Sequence, residues 1–155
     1  LEYDASGKIA SEGKMNKQLL EQLNALDFYK IAPPQSLGLE WVQKEILPLI
    51  DAHKISISSI LSTFVEHIAI QIASIITDSS AVLITGGGVF NSFLMQRIEK
   101  HSNVKIKQAS DALINYKEAL IFAFLGMLKI DNQINCLKSV TGASKNHSSG
   151  VIFLP

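Results

Sequence analysis

The sequence contains one cysteine and no excess of charge of either sign. Cys136 alone rules out an internal disulfide framework and is typical of a reducing compartment, so we expect the protein in the cytoplasm. Lysine plus arginine and aspartate plus glutamate both number 14, so the formal net charge is zero and no nucleic-acid partner is expected. No membrane partner is expected either, because Glu66 and His67 interrupt the longest apolar stretch before it reaches about 18 residues.

Patterns that would mark a metal site or a serine hydrolase are also missing. The four histidines show no metal-ligand spacing and one cysteine cannot build a zinc site, so no metal ligand is predicted. No G-x-S-x-G segment is present to supply a nucleophilic serine. His67 lies on an apolar helix pattern and is interpreted as the hydrogen-bonded partner of a nearby polar group rather than a ligand.

Apolar residues at helical spacing predict five helices in a chain of 155 residues, which is the size of one domain. The third helix is apolar over more than half its circumference and should be buried. Pro48 should mark the last turn of the second helix, or a kink in it. The five helical segments are residues 15–26, about 37–50, 55–77, a segment from Asn91 onward, and 116–128. Ser36 is the predicted N-cap of the second helix, and Ser56 or Ser58 that of the third. The fifth lies within residues 111–130, which should close the core.

Two strands are predicted between the helices. Residues 81–85 form a short apolar run with β-branched side chains, and residues 104–108 alternate apolar and lysine side chains as an edge or half-exposed strand does. The order helix, strand, glycine turn, helix, strand, helix predicts an α/β layered domain. Residues 135–143 have no helical period and are predicted as loop, and a short apolar strand is expected at the end of the chain.

The junction after the first strand carries the most informative pattern in the chain. Three glycines, Gly86, Gly87 and Gly88, end the strand, and a helix pattern opens at Asn91. Glycines let the backbone pass close to a ligand, and free N–H groups at a helix start favour negative charge. A tight β-to-α turn without a ligand explains the same residues, since the spacing matches neither common phosphate-binding fingerprint.

Residues 85–91 with Leu94 and Met95 resemble the GGG-x-x-N-x-x-L-M segment of the anhydro-N-acetylmuramic acid kinases, which are sugar kinases of the actin, hexokinase and Hsp70 superfamily. Gln35 and Leu39 depart from this family, replacing a usual lysine and an often basic residue, so any contact of those cations with phosphate or sugar is in question here. Other matches occur in family order: Asp4, Gly7, Ala10 and Gly13; Pro33, Pro34, Ser36, Gly38 and Glu40; Glu118, Ala119, Phe122 and Ala123; and residues 135–143.

The resemblance implies that residues 1–155 are a single C-terminal nucleotide-binding lobe, of ribonuclease H-like α/β fold, with helices packed on a small sheet. Members of the family open the 1,6-anhydro bond with water and phosphorylate the freed 6-hydroxyl with ATP and Mg²⁺, in peptidoglycan recycling. The resemblance places Gly86, Gly87, Gly88 and Asn91 at the nucleotide and Glu118 near the sugar. For Glu118, complementation of the helix dipole is the alternative role.

The catalytic base is not predicted within this chain. The family's aspartate, in a Phe-Asp-Thr-Gly-Pro-Gly-Asn segment, and its phosphate loop are both expected upstream of Leu1, in a missing N-terminal lobe. We therefore expect this piece alone to be inactive and to self-associate, as a homodimer for example, through bare cleft surface. Two other functions fit the sequence: an N-acetylhexosamine kinase of the same superfamily, and a non-catalytic nucleotide-binding or assembly module.

Overall fold

The computed structural model describes residues 3–32, 35–76 and 81–153, and these fall into two compact units. The first unit comprises residues 1–31 and 36–110, and the second comprises residues 32–35 and 111–155. Helices and a small parallel sheet make up the described chain, so the predicted α/β class is confirmed. The helices are α1 (Lys8–Glu12), α2 (Lys17–Asn24), α3 (Leu39–Trp41), α4 (Leu47–Ala52), α5 (Ile57–Ile75), α6 (Ser92–His101), α7 (Asp111–Ile130) and α8 (Lys138–Thr141), and the strands are β1 (Ala81–Ile84) and β2 (Lys105–Gln108).

Helix α2 forms where the leucine spacing predicts it. The side chain of Asn16 accepts a hydrogen bond from the Leu19 backbone N–H at 2.9 Å, which caps the helix. Leu19 and Leu23 are fully buried and meet Ile46 in the apolar cluster of the first unit. Trp41 packs against this cluster.

The predicted second helix is continuous, but its middle is π-helical. A π-helical turn over Val42–Ile46 joins α3 to α4, and Pro48 lies in the first turn of α4. Proline has no N–H and its ring clashes with the carbonyl four residues earlier, so a wider turn before it accommodates the proline within the helix. The prediction of Ser36 as N-cap is wrong, because Gly38 occupies that position without a side-chain bond.

Helix α5 is the central helix of the first unit, and α1, α2 and α6 all pack against it. Its N-cap is Ser56, whose side chain accepts a hydrogen bond from the Ser59 backbone N–H at 3.2 Å. The predicted end of the helix, residue 77, lies outside the described residues. Residues 58–73 are all buried or partly buried, as predicted, whereas Ile57 and Ile75 at the two ends are 73% and 80% exposed. The fully buried residues are Ser62, Thr63, Val65, Glu66, His67 and Ala69.

By length and composition α5 could cross a membrane, with a mean hydropathy of 1.3. Core helices of globular proteins meet the same criterion. Among its six buried residues, two are the titratable Glu66 and His67, and both are hydrogen-bonded to neighbouring side chains within the first unit.

The sheet consists of β1 and β2 in parallel, with α6 as the crossover between them. Val82 is paired with Ile106, and the Ala109 N–H donates to the Ile84 carbonyl at 3.3 Å, just beyond the strands. Three of the four β2 residues are exposed, as predicted for a half-exposed strand.

Helix α7 belongs to the second unit, and its predicted role in closing the core stays a prediction. The helix begins at Asp111, earlier than predicted, and most of its apolar side chains face outward. Tyr116 and Phe122 are both 70% exposed, for example. Residues 135–143, predicted as loop, contain the short helix α8, which ends at Gly142 with φ of 72°. The described residues up to 153 form no terminal strand.

Candidate functional site

The glycine junction is an ordered turn between β1 and α6. Gly86 has φ 94° and ψ 164°, a conformation that is essentially restricted to glycine. A 3₁₀ turn over Gly87–Phe90 follows, in which the Val89 N–H donates to the Gly86 carbonyl and the Asn91 N–H to the Gly88 carbonyl, both at 3.0 Å. Val89 is buried and anchors the turn in the first unit.

Unlike Gly86, Gly87 and Gly88 are not required to be glycine by their backbone conformation or packing. A Cβ added at either position would meet no atom of the described chain within 4 Å, and neither has a positive φ. Packing and conformation within the described chain therefore do not require glycine at these two positions. A backbone that lies open in this way can be approached closely by a ligand.

Helix α6 opens at Asn91, as the sequence predicts, and Asn91 is its N-cap. Its side-chain oxygen accepts from the Leu94 backbone N–H at 3.0 Å, which satisfies one of the free N–H groups at the helix start. The glycine turn and the first turn of α6 therefore form one continuous structure over residues 86–94.

The N-terminal loop lies directly against the start of α6. Gly7 has φ of 72°, and a Cβ there would come within 2.2 Å of the Asn91 side-chain oxygen and 2.7 Å of the Phe93 Cβ. The Ser92 hydroxyl donates to the Ser6 carbonyl at 3.1 Å. Gly7 is thus required both by its conformation and by its close contact with Asn91.

The N-terminal family motif consists of Asp4, Gly7, Ala10 and Gly13, and its other three residues also have structural roles. Both carboxylate oxygens of Asp4 accept backbone N–H groups at the start of α1, from Ile9 at 2.8 Å and Ala10 at 2.9 Å. Ala10 is fully buried, and a Cβ on Gly13 would lie 1.9 Å from the Ser58 carbonyl oxygen. The motif therefore allows the N-terminal segment to pack closely against α5 and α6.

A buried ion network on α5 and α6 was not predicted from the sequence. The Glu66 carboxylate accepts from the Arg97 guanidinium through Nε and, at 2.6 Å, through Nη2. It also lies 2.8 Å from His101 Nε2. Burial raises the pKa of Glu66, but the hydrogen bonds and charges of Arg97 and His101 outweigh it, so the pKa is lowered. In the sequence, only the i, i+4 spacing of Arg97 and His101 indicated that the two side chains lie on one face of α6.

His67 is a structural residue, as predicted. Its Nε2 lies 2.9 Å from the Tyr29 hydroxyl and its Nδ1 lies 2.6 Å from the Asn24 side-chain oxygen. The side chain is almost fully buried, which lowers its pKa to about 4 and keeps the ring neutral. Across residues 3–32, 35–76 and 81–153, no group of three or more His, Cys, Asp or Glu side chains could hold a metal ion.

Glu118 belongs to the second unit, whereas the glycine turn and Asn91 belong to the first. It is exposed on α7, seven residues after the helix start at Asp111, and is therefore beyond the first turn. Because the helix dipole acts mainly within the first turn, the alternative role of Glu118 in complementing it is weakened. Leu39, one of the two departures from the family pattern, is 67% exposed at the start of α3. Pro33 and Pro34 lie outside the described residues.

Comparison with known proteins confirms the resemblance of the sequence. A family model described as anhydro-N-acetylmuramic acid kinase matches residues 1–155. A protein of that name from Saccharophagus degradans is 33% identical over 168 residues, covering 99% of this chain and 44% of the relative. Those of Xylella fastidiosa and Haemophilus influenzae are 33% and 31% identical, and the chain covers 39% and 45% of their lengths.

The chain belongs to the anhydro-N-acetylmuramic acid kinase family. It spans less than half the length of the curated relatives that it matches.

Proposed function

We propose that this chain is the C-terminal nucleotide-binding lobe of a cytoplasmic sugar kinase of the actin-like superfamily. The enzyme opens 1,6-anhydro-N-acetylmuramic acid with water and phosphorylates the freed 6-hydroxyl, in peptidoglycan recycling. Family membership over residues 1–155 supports the activity. The observation that carries the assignment of the nucleotide site is the open backbone at Gly87 and Gly88, where a Cβ would meet nothing within 4 Å.

In this proposal the turn holds the nucleotide by close backbone approach. Gly86 gives the turn its shape through a conformation that other residues rarely adopt, and Gly87 and Gly88 leave room for the ligand. Asn91 keeps the first turn of α6 ordered beside them. Preorganised backbone next to a ligand reduces the ordering cost of binding, which favours affinity.

Mg-ATP, when bound, supplies the γ-phosphoryl group for transfer to the sugar. The described residues contain no group of three or more His, Cys, Asp or Glu side chains that could hold a metal ion. The family resemblance places the base that activates water in the remainder of the protein, and in this proposal the magnesium ligands lie there too. Glu118, whose side chain is exposed on α7, accepts a hydrogen bond from a sugar hydroxyl in this proposal.

The test is an assay of the intact protein with Mg-ATP and 1,6-anhydro-N-acetylmuramic acid, measuring both ADP and sugar phosphate. We expect stoichiometric formation of the two products. Preferential phosphorylation of N-acetylhexosamines that lack the anhydro bond would instead identify a hexosamine kinase. Nucleotide binding without turnover of any sugar would identify a non-catalytic module, and both outcomes would refute the proposal.

A further inference from the structure

Glu66 is the only one of the described acidic side chains that the fold buries, with 7% exposure of the residue. Both of its oxygens are used: Oε2 accepts from Arg97 Nε, and Oε1 accepts from Arg97 Nη2 at 2.6 Å and lies 2.8 Å from His101 Nε2. A carboxylate taken out of water is costly unless it is paired and hydrogen-bonded, and these contacts meet that requirement. The arrangement therefore defines one relative position of the three side chains.

Arg97 and His101 lie four residues apart on α6, so they project from the same face on successive turns. Their common partner is on α5, the central helix of the first unit. Two attachment points separated by about one helical turn, or about 5.4 Å along the axis, restrict both the sliding and the rotation of α6. Apolar contacts such as that of Ile98, which is 1% exposed, also bind α6 to the first unit. They restrict its sliding and rotation less strictly than the ion network does.

The opposite end of α6 is the nucleotide end of the proposed site. Asn91 caps the helix there, the glycine turn precedes it without a break, and Gly7 packs against the Asn91 side chain. A helix is stiff over ten residues, so a rotation at Arg97 and His101 is transmitted to Asn91 and to the turn. The ion network therefore acts on the site from a distance, without contacting the turn itself.

We propose that Glu66 is a positioning residue for nucleotide binding, which acts through Arg97 and His101 to fix the orientation of α6 and of residues 86–91. This inference rests on the proposed function, because it requires the glycine turn to bind the nucleotide. A purely structural network would stabilise the fold but leave the affinity of folded molecules unchanged. These two roles predict different results in a binding experiment.

The experiment is calorimetric ADP binding to the intact protein and to its Glu66→Gln variant, well below the melting temperature. Glutamine retains the shape of the side chain but removes the charge and one acceptor. We expect the Kd for ADP to rise about tenfold with unchanged stoichiometry, because a charge-assisted hydrogen-bonded pair is lost. In turnover assays the KM for ATP should rise correspondingly while the KM for the sugar stays the same.

The matched control is Glu99→Gln, which makes the same change on an exposed position of α6 and should leave the Kd unchanged. Should Glu66→Gln fail to fold, Arg97→Lys keeps the charge, loses the two-bond geometry and should weaken ADP binding about threefold or more. An unchanged Kd in Glu66→Gln, whether at full or reduced stoichiometry, would overturn the positioning role. Failure of the unmodified protein to bind ADP would instead refute the proposed function, and this inference with it.

Discussion

Replacing Gly87 by valine tests whether the glycine turn binds a nucleotide or only connects β1 to α6. A Cβ at Gly87 meets no described atom within 4 Å and the residue has no positive φ, so the backbone tolerates the change. We expect the free energy of unfolding to change by no more than about 0.5 kcal/mol, as for an ordinary surface substitution.

The same valine places three carbons where the proposed ligand approaches. Loss of one good backbone contact costs on the order of 1–3 kcal/mol, which corresponds to a Kd for ADP that is about 5- to 150-fold higher. Isothermal titration calorimetry of the intact protein measures the Kd, and thermal melting without nucleotide measures stability. The expected signature is weak binding by a normally stable protein.

Two other glycines serve as controls for this experiment. Gly126→Val, in α7, likewise introduces a Cβ that meets no atom within 4 Å, so it should affect neither stability nor ADP binding appreciably. Gly86→Ala should show the opposite pattern to Gly87→Val in stability, because φ of 94° strains any other residue by about 1–3 kcal/mol. Unchanged ADP affinity in a folded Gly87→Val variant would refute our reasoning and leave the turn as scaffold.

Three further predictions concern the sugar, the chain by itself and pH. Glu118→Gln should lower turnover of the sugar much more than it changes ADP affinity or the melting temperature; normal turnover would exclude a sugar contact. Residues 1–155, purified alone, should form no ADP or sugar phosphate from Mg-ATP and the anhydro sugar, because the proposed base is elsewhere; turnover at the rate of the intact protein would contradict this. His67 has its pKa lowered from 6.5 to about 4, so the unfolded chain binds a proton first and stability should fall as pH decreases from about 6.5 towards 4. Urea unfolding at pH 7 and pH 5 should show this loss, of order 1–3 kcal/mol, and His67→Gln should remove most of it.

Local signals predicted the parts of the fold that depend on neighbours in sequence. Ser56 was predicted as a helix cap from its residue type and position, and Asn16 and Asn91 cap their helices through the same kind of local contact. The alternation in residues 104–108 likewise predicted the exposed strand β2. The helical turn at residues 138–141, within a segment predicted as loop, shows that four residues are too few for a periodic signal.

The exposure of apolar residues in α5 and α7 could not be predicted from composition. Apolar composition predicts that a helix can be buried, but not how many neighbours are available to bury it. Helix α5, which α1, α2 and α6 contact, is buried or partly buried over residues 58–73, whereas Ile57 and Ile75 at its ends are exposed. In α7 most apolar side chains are exposed, although its composition is that of a core helix.

The sequence by itself determined the family. The motif around Gly86, Gly87, Gly88 and Asn91 is short and contiguous, and it occurs in family order with the other matching segments. Only the tertiary structure decided that Glu66 meets Arg97 and His101, which are 31 and 35 residues away. It also decided that Gly7 is required by contact with Asn91, whereas Gly87 and Gly88 face open space. The physical reason is that a side chain's own sequence neighbourhood sets its local conformation, but long-range packing sets which groups share a site, and that pairing leaves no period in the sequence.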